Sequence, residues 1–224
     1  MISCKDICFA YDGMPVLSHI SFDVMDGECL AFMGPNGCGK STLFKIINGL
    51  AFPELGTYQF KGKSIDRKTL DDATFAKVFH QQVGFIFQNS DLQLFCSNVR
   101  EELEFGPVQM GLAKEDIERR VGDVAAMLSL ESLLDRAPYH LSGGEKKRVA
   151  IGCILTMNPQ VLILDEPLAG LDEQSQKWLL GFLQSLKKSG KTIIFATHDR
   201  DLANSLADRI LTIDSNHRLL GEMH

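Results

Sequence analysis

Residues 29–50 read CLAFMGPNGCGKSTLFKIINGL and combine three elements in a fixed order. The run Cys29–Met33 is apolar throughout, which is typical of a strand buried on both faces of a parallel sheet. The segment GPNGCGKS, Gly34–Ser41, matches the pattern G-x-x-x-x-G-K-[ST]. A helical run, residues 41–50, follows it. A strand, a glycine loop and a helix in this order predict a phosphate-binding loop in an α/β domain.

The glycines of such a loop let backbone N–H groups turn toward phosphate, and the following helix presents its positive end. Lys40 would reach the β and γ phosphates of a nucleoside triphosphate, and the Ser41 hydroxyl would contact Mg²⁺. Further loop residues are expected to contact the nucleotide: Gly34, Asn36, Gly37, Cys38, Gly39 and Thr42. The alternative interpretation, a glycine turn without a ligand, does not account for the flanking strand and helix.

Polar side chains follow three further apolar runs. These runs are Val83–Phe87, Val161–Leu164 and Thr192–Ala196. Gln88 follows the first run, Asp165 and Glu166 follow the second, and His198 comes shortly after the third. Ligands of open α/β sheets bind at the carboxyl ends of the strands. We therefore expect these four side chains to converge on one site.

Asp165 and Glu166 are followed by Pro167, which cannot donate to a continuing ladder. Adjacent residues of a strand point to opposite sides, so a bend is needed to bring both carboxylates toward one site. We assign Asp165 to Mg²⁺, through water, and Glu166 to the attacking water as general base. The alternative is an acidic loop at a sheet edge.

A second glycine-rich segment, LSGGE, spans Leu141–Glu145. Ser142 and Glu145 have the spacing of a capping box, which requires no ligand. Two consecutive glycines, however, remove side chains from the mouth of a helix whose N–H groups attract an anion. One nucleotide needs one phosphate cradle, and no second acidic strand end accompanies this one. The pattern suggests that two copies of the chain share each nucleotide.

The 224 residues fit a single domain, residues 1–224, with a mostly parallel sheet in an α/β core. Residues 1–25 read as a hairpin with a turn at Asp12-Gly13, which would form an antiparallel β subdomain with Thr57–Lys61. Three helical patterns indicate an inserted helical subdomain at about residues 90–159. They cover Asn98–Met110, Lys114–Leu130 and Ser142–Met157.

Composition argues against several other classes of protein. The net charge of −6 and a pI near 5.5 disfavour a broad nucleic-acid footprint. Six scattered cysteines indicate neither a zinc site nor a disulfide framework. Uncharged apolar stretches such as Val149–Met157 fall short of the roughly 20 residues that a membrane span needs. The first residues lack the apolar core of a secretion signal, so we expect the chain in the cytosol.

The motifs occur in the order Tyr11, GPNGCGKST, Gln88, LSGGE, VLILDEP, AGLD and His198. With this ordered set the chain resembles the ATP-binding-cassette (ABC) ATPases, which have a P-loop NTPase core, over essentially its full length. The resemblance implies ATP and Mg²⁺ as cofactors and a head-to-tail dimer. In such a dimer the LSGGE segment of one cassette closes over the ATP that the other's glycine loop holds. Whether the two chains are identical or related stays open.

The resemblance also implies roles for individual residues. Tyr11 would stack on adenine, or else simply flank the hairpin beside Phe9. Gln88 would contact Mg²⁺ and the attacking water, and His198 would contact the γ-phosphate. Asp172, in AGLD, would couple the two sites across the interface, and it also fits an ordinary N-cap.

The second cradle takes its roles from the same resemblance. Ser142, Gly143 and Gly144 would bind the γ-phosphate of the opposite subunit's ATP. Many family members have Gln at the position of Glu145, a departure that leaves the capping argument intact.

The segment QNSDLQLFCSNVREELEFGPVQMGL, residues 88–112, is similar to the corresponding stretch of energy-coupling-factor (ECF) transporter ATPases. The resemblance implies that Gln88–Gly106 lines a groove for a transmembrane scaffold subunit. Acidic residues there would meet arginines, and apolar residues would add contact: Asp91, Glu101, Glu102 and Glu104, with Leu92, Leu94, Phe95 and Phe105. The alternative is a solvated acidic helix face with its aromatic residues buried.

The expected function is ATP hydrolysis that powers an ECF-type importer of vitamins or of cobalt or nickel ions, from the cytoplasmic face of the membrane. A second ATPase subunit would be a direct partner, a substrate-binding membrane protein an indirect one, and nucleic acid none. The chain ends 26 residues after His198, which puts pairing without nucleotide in doubt. Alternatives are another ABC importer or exporter, or a soluble ABC ATPase acting on ribosomes or DNA.

Overall fold

The computed structural model describes residues 1–223 of the chain. Its strands are β1 Ile2–Tyr11, β2 Met14–Val24, β3 Cys29–Met33, β4 Leu55–Phe60, β5 Lys63–Ser64, β6 Val83–Ile86, β7 Val161–Asp165, β8 Thr192–Ala196, β9 Arg209–Ile213 and β10 Leu219–Met223. Its helices are α1 Lys40–Ile47, α2 Arg67–Leu70, α3 Ala73–Gln82, α4 Val99–Gln109, α5 Lys114–Leu128, α6 Gly143–Leu155, α7 Glu173–Lys188 and α8 Arg200–Leu206.

The larger sheet has six strands in the order β10-β9-β3-β8-β7-β6, and all pairs except β10 with β9 are parallel. The strands β3, β8, β7 and β6 are almost entirely apolar because both faces are covered. In β3, Leu30 and Phe32 face one core cluster, and Cys29 and Ala31 face the other. The same alternation holds in β7 and β8. The mostly parallel sheet predicted from these runs is therefore confirmed.

Helices on both faces hold the sheet. On one face α1 packs Phe44 edge-to-face against Phe32 of β3, with ring centroids 5.8 Å apart. On the other face α6 and α7 contribute the buried side chains Val149, Leu179 and Leu183. Burying each such side chain stabilises the fold by about 1.5–3 kcal/mol. The phosphate-binding loop is thus fixed between a central strand and a buried helix.

The N-terminal strands form a separate antiparallel sheet in the order β2-β1-β4-β5. Tyr11 pairs with Met14 across the predicted turn at Asp12-Gly13. The predicted partner strand is present as β4 and pairs with β1 in antiparallel register. This sheet buries Ile7, Ile20 and other side chains in the cluster that also covers β3.

The helices α4, α5 and α6 lie between β6 and β7 in the chain, as the helical patterns predict. Asn98 caps α4 by accepting from the Glu101 N–H at 2.9 Å. A Cβ at Gly152 of α6 would lie 2.7 Å from Leu103 of α4, so the two helices approach closely. None of the helices within residues 1–223 has the length and apolar character needed to cross a membrane.

The sequence patterns did not predict α2, α3, α8, β5, β9 and β10. Only Phe79 of α3 is buried, so this helix lacks a strong apolar period. In β9, which lies next to the edge strand β10, buried and half-buried positions mix. The continuous apolar run that identified the other parallel strands is therefore absent from β9.

Candidate functional site

The carboxyl ends of β3, β8, β7 and β6 open into one cavity of about 370 Å³. Because β7 lies between β8 and β6, its two carboxylates stand between His198 and Gln88. The residues lining the cavity are Val16, Asn36, Gly37, Gly39, Lys40, Ser41, Thr42, Gln88, Asp165, Glu166 and His198. The structure thus brings together the glycine loop and the four strand-end side chains, as expected.

The helix that follows the glycine loop begins without a side-chain cap. Gly39 is its N-cap residue, with φ 112°, and a Cβ there would lie 2.4 Å from the Val16 carbonyl oxygen. Among residues 1–223, no side chain caps the N–H groups of the first turn of α1, and no acidic residue lies in that turn. Uncapped N–H groups at a helix start bind anions. This end of α1 fits a phosphate.

Lys40 is a buried cation held by the loop itself. Its Nζ donates to the carbonyl oxygens of Gly34 at 2.8 Å and Pro35 at 3.1 Å. A buried ammonium with neutral acceptors favours an anion nearby, because carbonyl oxygens do not neutralise its charge. The side chain of Lys40 therefore adds a positive charge to the phosphate cradle.

Glu166 has a backbone bend that turns its side chain toward the cavity. Its φ of 44° lies in the left-handed region, which is unusual for a residue with a side chain. This is the bend that two adjacent carboxylates at one site require. Glu166 Oε2 accepts from His198 Nδ1 at 3.0 Å, while Oε1 is buried without a partner in residues 1–223. An unpaired buried carboxylate oxygen at the cavity is suited to accept from a water molecule.

The cavity lining includes the oxygen-bearing side chains of Ser41, Gln88 and Asp165. Hydroxyl, amide and carboxylate oxygens suit Mg²⁺, which usually binds one or two carboxylates together with substrate phosphates. The described part of the chain has no group of three His, Cys, Asp or Glu side chains that could hold a metal alone. The residues present therefore fit Mg²⁺ that is bound jointly with a nucleotide.

The second glycine-rich segment begins α6 and does not line this cavity. Ser142 Oγ accepts from the Glu145 N–H at 3.3 Å, and Glu145 Oε2 accepts from the Ser142 N–H at 2.7 Å. The Ser142 N–H holds the pKa of Glu145 below its usual range. The capping box expected from the sequence is thus present. It uses the N–H groups of Ser142 and Glu145, not those of Gly143 and Gly144.

The two glycines of this segment differ in their surroundings. A Cβ at Gly144 would lie 2.3 Å from Ser175 Oγ, so Gly144 allows α6 to approach α7. A Cβ at Gly143 would meet only the Gly170 carbonyl oxygen, at 3.8 Å, which is ordinary contact. Gly144 therefore has a packing reason of its own, and its predicted contact with an anion remains a prediction. Gly143 has space beside it.

Besides Ser142–Gly144, four residues predicted to contact nucleotide lie outside the cavity lining: Tyr11, Gly34, Cys38 and Asp172. Tyr11 packs edge-to-face on Phe9, with ring centroids 4.8 Å apart. Cys38 is buried beneath the loop. Asp172 caps α7 by accepting from the Ser175 N–H at 2.8 Å, which lowers the pKa of the Asp172 carboxyl. The capping role of Asp172 is confirmed, and the nucleotide roles of all four remain predictions.

Lys147 of α6 is a buried charge that the sequence patterns did not predict. Lys147 is 2% exposed, and its Nζ donates to the carbonyl oxygens of Phe87 at 3.1 Å and Gln88 at 3.0 Å. Burial lowers the pKa of Lys147 to about 8, and the negative charge of Asp165 opposes that shift. Lys147 and the buried Ile151 are four residues apart and so lie on the same face of α6. This spacing was the signal in the sequence that Lys147 is buried.

The segment after Gln88 forms one wall of a second cavity, of about 290 Å³, with α3 and the end of α6. Its lining is mainly apolar and includes Phe95, Phe105 and Met157. The rings of Phe95 and Phe105 meet edge-to-face at 4.9 Å, and both side chains are exposed. The alternative in which these aromatic residues are buried is therefore wrong.

Three of the four acidic residues expected to meet arginines have partners in their own chain. Glu102 is buried and accepts from the N–H groups of Phe95 and Cys96, and burial raises its pKa. Asp91 pairs with Lys146 at 2.7 Å. Glu101 accepts from Ser97 and Asn98 side chains. Glu102 therefore holds the Phe95 loop in place, which corrects the role expected for it.

Gly34→Ala is expected to destabilise the phosphate-binding loop. Gly34 has φ 144°, and a Cβ there would lie 2.2 Å from the Ile213 carbonyl oxygen. This contact is with backbone, which cannot move aside without a cost in free energy. We therefore expect a loss of about 1–3 kcal/mol in unfolding free energy and weaker ATP binding. Thermal unfolding and nucleotide titration measure the two effects. Gly37→Ala is the control for space, because nothing in residues 1–223 lies within 4 Å of its Cβ position. An unfolding free energy and ATP affinity of Gly34→Ala equal to those of the wild type would contradict the prediction.

The ABC transporter family model matches residues 17–169 of the chain. The nickel import ATP-binding protein LarO of Lactiplantibacillus plantarum is 43% identical over 219 residues, which cover 98% of this chain and 91% of LarO. The energy-coupling factor transporter ATP-binding protein EcfA of Methanocaldococcus jannaschii is 44% identical over 213 residues, covering 94% of this chain and 74% of EcfA.

Among solved structures, the dimeric ATP-binding cassette MJ0796 in a post-hydrolysis state with ADP and Pi superposes with a TM-score of 0.87. It is 26% identical, and the match covers 100% of this chain and 98% of that one. Two relatives above 40% identity, a family model over most of the core and a shared fold agree with one another. The chain therefore belongs to the ABC transporter family as an ATP-binding, ATP-hydrolysing subunit, and it is similar to the ATPases of ECF transporters.

Proposed function

We propose that this chain powers an ECF-type importer of vitamins or of cobalt or nickel ions by ATP-driven closure of a dimer. The observation that carries the proposal is the exposed apolar groove, whose lining includes Gln93 and Phe95 of the segment that follows Gln88 of the nucleotide cavity. A partner seated there would contact the same segment that reaches the site of hydrolysis. The similarity to LarO and EcfA supports this assignment.

The first half of the proposed site binds and cleaves ATP. The N–H groups of α1 and the Lys40 ammonium bind the phosphates, and Glu166 Oε1 accepts a proton from the attacking water. Mg²⁺ bound with Ser41, Gln88 and Asp165 would neutralise phosphate charge. His198 Nδ1 is engaged by Glu166, which leaves Nε2 for the γ-phosphate.

The second half of the site comes from the partner chain. Ser142–Gly144 lies outside the cavity of its own chain, and Gly143 has open space beside it. A second cassette placed head to tail would set this helix start over the γ-phosphate. Asp172 would couple the two sites and Tyr11 would stack on adenine. Gly34 and Cys38 would contact the phosphates through their backbone atoms.

The groove partner in this proposal is a transmembrane scaffold subunit, which places the chain peripherally at the cytoplasmic face of the membrane. The exposed pair Phe95 and Phe105 supplies apolar contact area, and aromatic residues are enriched at such interfaces. The substrate-binding membrane protein is then an indirect partner through the scaffold.

Purification of the tagged chain from detergent-solubilised membranes tests the proposed function. We expect a second ATPase chain, a polytopic scaffold and a small substrate-binding membrane protein in stoichiometric amounts. Reconstituted vesicles should then take up the substrate only with ATP. Recovery of ribosomes or DNA without any membrane subunit would instead support a soluble ABC ATPase and contradict the proposal.

Phe95→Asp is expected to weaken assembly with the membrane subunits about 10- to 100-fold, because a charge would enter the centre of an apolar contact. Phe95 is 68% exposed, so its replacement should leave folding and ATP binding of the free chain unchanged. Met25→Asp is the matched control, because Met25 is equally 68% exposed but lies outside the groove. Titration of the purified chain into scaffold-containing vesicles measures the difference in affinity. Equal binding by both variants would show that the groove is not part of the interface.

A further inference from the structure

The helix that carries the second phosphate cradle also holds the segment that carries Gln88. Lys147 lies on α6, one turn after Gly143. Its buried Nζ donates to the carbonyl oxygens of Phe87 and Gln88, at 3.1 and 3.0 Å. One ammonium group therefore fixes the backbone of Gln88 to the start of α6.

A second tie lies one turn further along the same helix. The Gln93 side chain accepts from the Phe87 N–H at 3.3 Å and donates to the Ala150 carbonyl oxygen at 3.1 Å. Phe87 is thus held to α6 at both its N–H and its carbonyl oxygen. The start of the Gln88 segment and α6 are joined as one unit.

The neighbouring lysine makes a different kind of contact. Lys146 pairs with Asp91 at 2.7 Å, but Asp91 is well exposed to solvent. An exposed ion pair contributes little to stability, whereas a buried donor to two carbonyl oxygens leaves both unsatisfied when it is removed. The two lysines of α6 therefore provide a test position and a control position on the same helix.

We propose that Lys147 is a positioning residue of ATP hydrolysis, which transmits the docking of Ser142–Gly144 on a partner's phosphate to Gln88 of its own chain's site. A displacement of α6 at the dimer interface moves the Gln88 backbone with it, because the two are bonded through Lys147. Each site thereby hydrolyses its ATP faster when its chain has also closed over the other ATP. This inference rests on the role proposed for Gln88 above.

Lys147→Met tests the proposal, because Met keeps most of the length of the side chain and removes the donor. We expect the turnover number of the ATP-driven dimer to fall about tenfold, within the range of mutations that modulate coupling between sites. Nucleotide affinity of the separated monomer should stay unchanged. Lys146→Met, which removes only the exposed ion pair, should keep its turnover within about twofold. Unchanged turnover of Lys147→Met would overturn the proposal.

A double-mutant cycle with Gln88→Ala separates positioning from a general structural role. If Lys147 acts through Gln88, Lys147→Met lowers turnover in the wild-type background but not in the Gln88→Ala background. Equal losses in both backgrounds would overturn the inference while leaving the role of Gln88 intact. Full turnover of Gln88→Ala alone would refute the role proposed for Gln88. If Lys147→Met is unfolded at the assay temperature, the cycle uses Lys147→Gln, whose shorter amide cannot reach both carbonyl oxygens.

Discussion

Glu166→Gln is expected to lower ATP turnover by about 10²- to 10⁴-fold, the contribution of a positioned general base. The amide has the shape of the carboxylate, so the bend at φ 44° and the contact with His198 can persist. What changes is Oε1, the buried oxygen without a partner, which can no longer take a proton from water. ATP binding should therefore remain while cleavage stops.

Gel filtration with ATP and Mg²⁺, together with a turnover assay, measures the two consequences. The variant should accumulate as an ATP-bound dimer, because hydrolysis is the step proposed to reopen it. Glu173→Gln is the control, because Glu173 is an exposed carboxylate in an ion pair with Lys177 on α7. An elution profile of monomer only, with undiminished turnover, would show that both the base assignment and the shared site are wrong.

The sheet and the strand-end residues were predictable because a strand that is buried on both faces appears in the sequence as a continuous apolar run. Four continuous apolar runs became β3, β6, β7 and β8, and their adjacent residues alternate between two core clusters. Parallel strands share the direction of their carboxyl ends, so the polar residues that follow them converge. The bend at Glu166 followed from the same geometry, since two adjacent carboxylates cannot otherwise face one site.

Other features of the structure depend on contacts between distant segments, and no local sequence pattern predicts them. Lys147 is bonded to carbonyl oxygens about 60 positions earlier in the chain, and Gly144 is limited by Ser175 of the next helix. Glu102 appears in sequence as one of several acidic residues on a surface helix, yet it is buried against backbone N–H groups. The sequence alone does not distinguish a charged residue that is bonded within its own chain from one that binds another protein.

Gly143→Asp is expected to lower turnover of the dimer about 100-fold, because like charges placed together across an interface cost several kcal/mol. The substitution should leave its own chain intact for two reasons. A Cβ at Gly143 meets only an atom at 3.8 Å, and an acidic residue in the first turn of α6 is favourable to the helix. The new carboxylate would oppose the γ-phosphate of the partner's ATP.

Nucleotide affinity of the Gly143→Asp monomer should equal that of the wild type, and Gly143→Ala, with the same first atom and no charge, should retain most of its turnover. Mixing Gly143→Asp chains with Glu166→Gln chains gives a sharper comparison. Each mixed dimer then has one site with both an intact Glu166 and an intact cradle, so single-turnover hydrolysis should reappear although neither variant has it alone. If each chain used its own cradle, Gly143→Asp would disable one site of the mixed dimer and Glu166→Gln the other. Mixed dimers that mass spectrometry detects but that hydrolyse no ATP would therefore contradict the shared site.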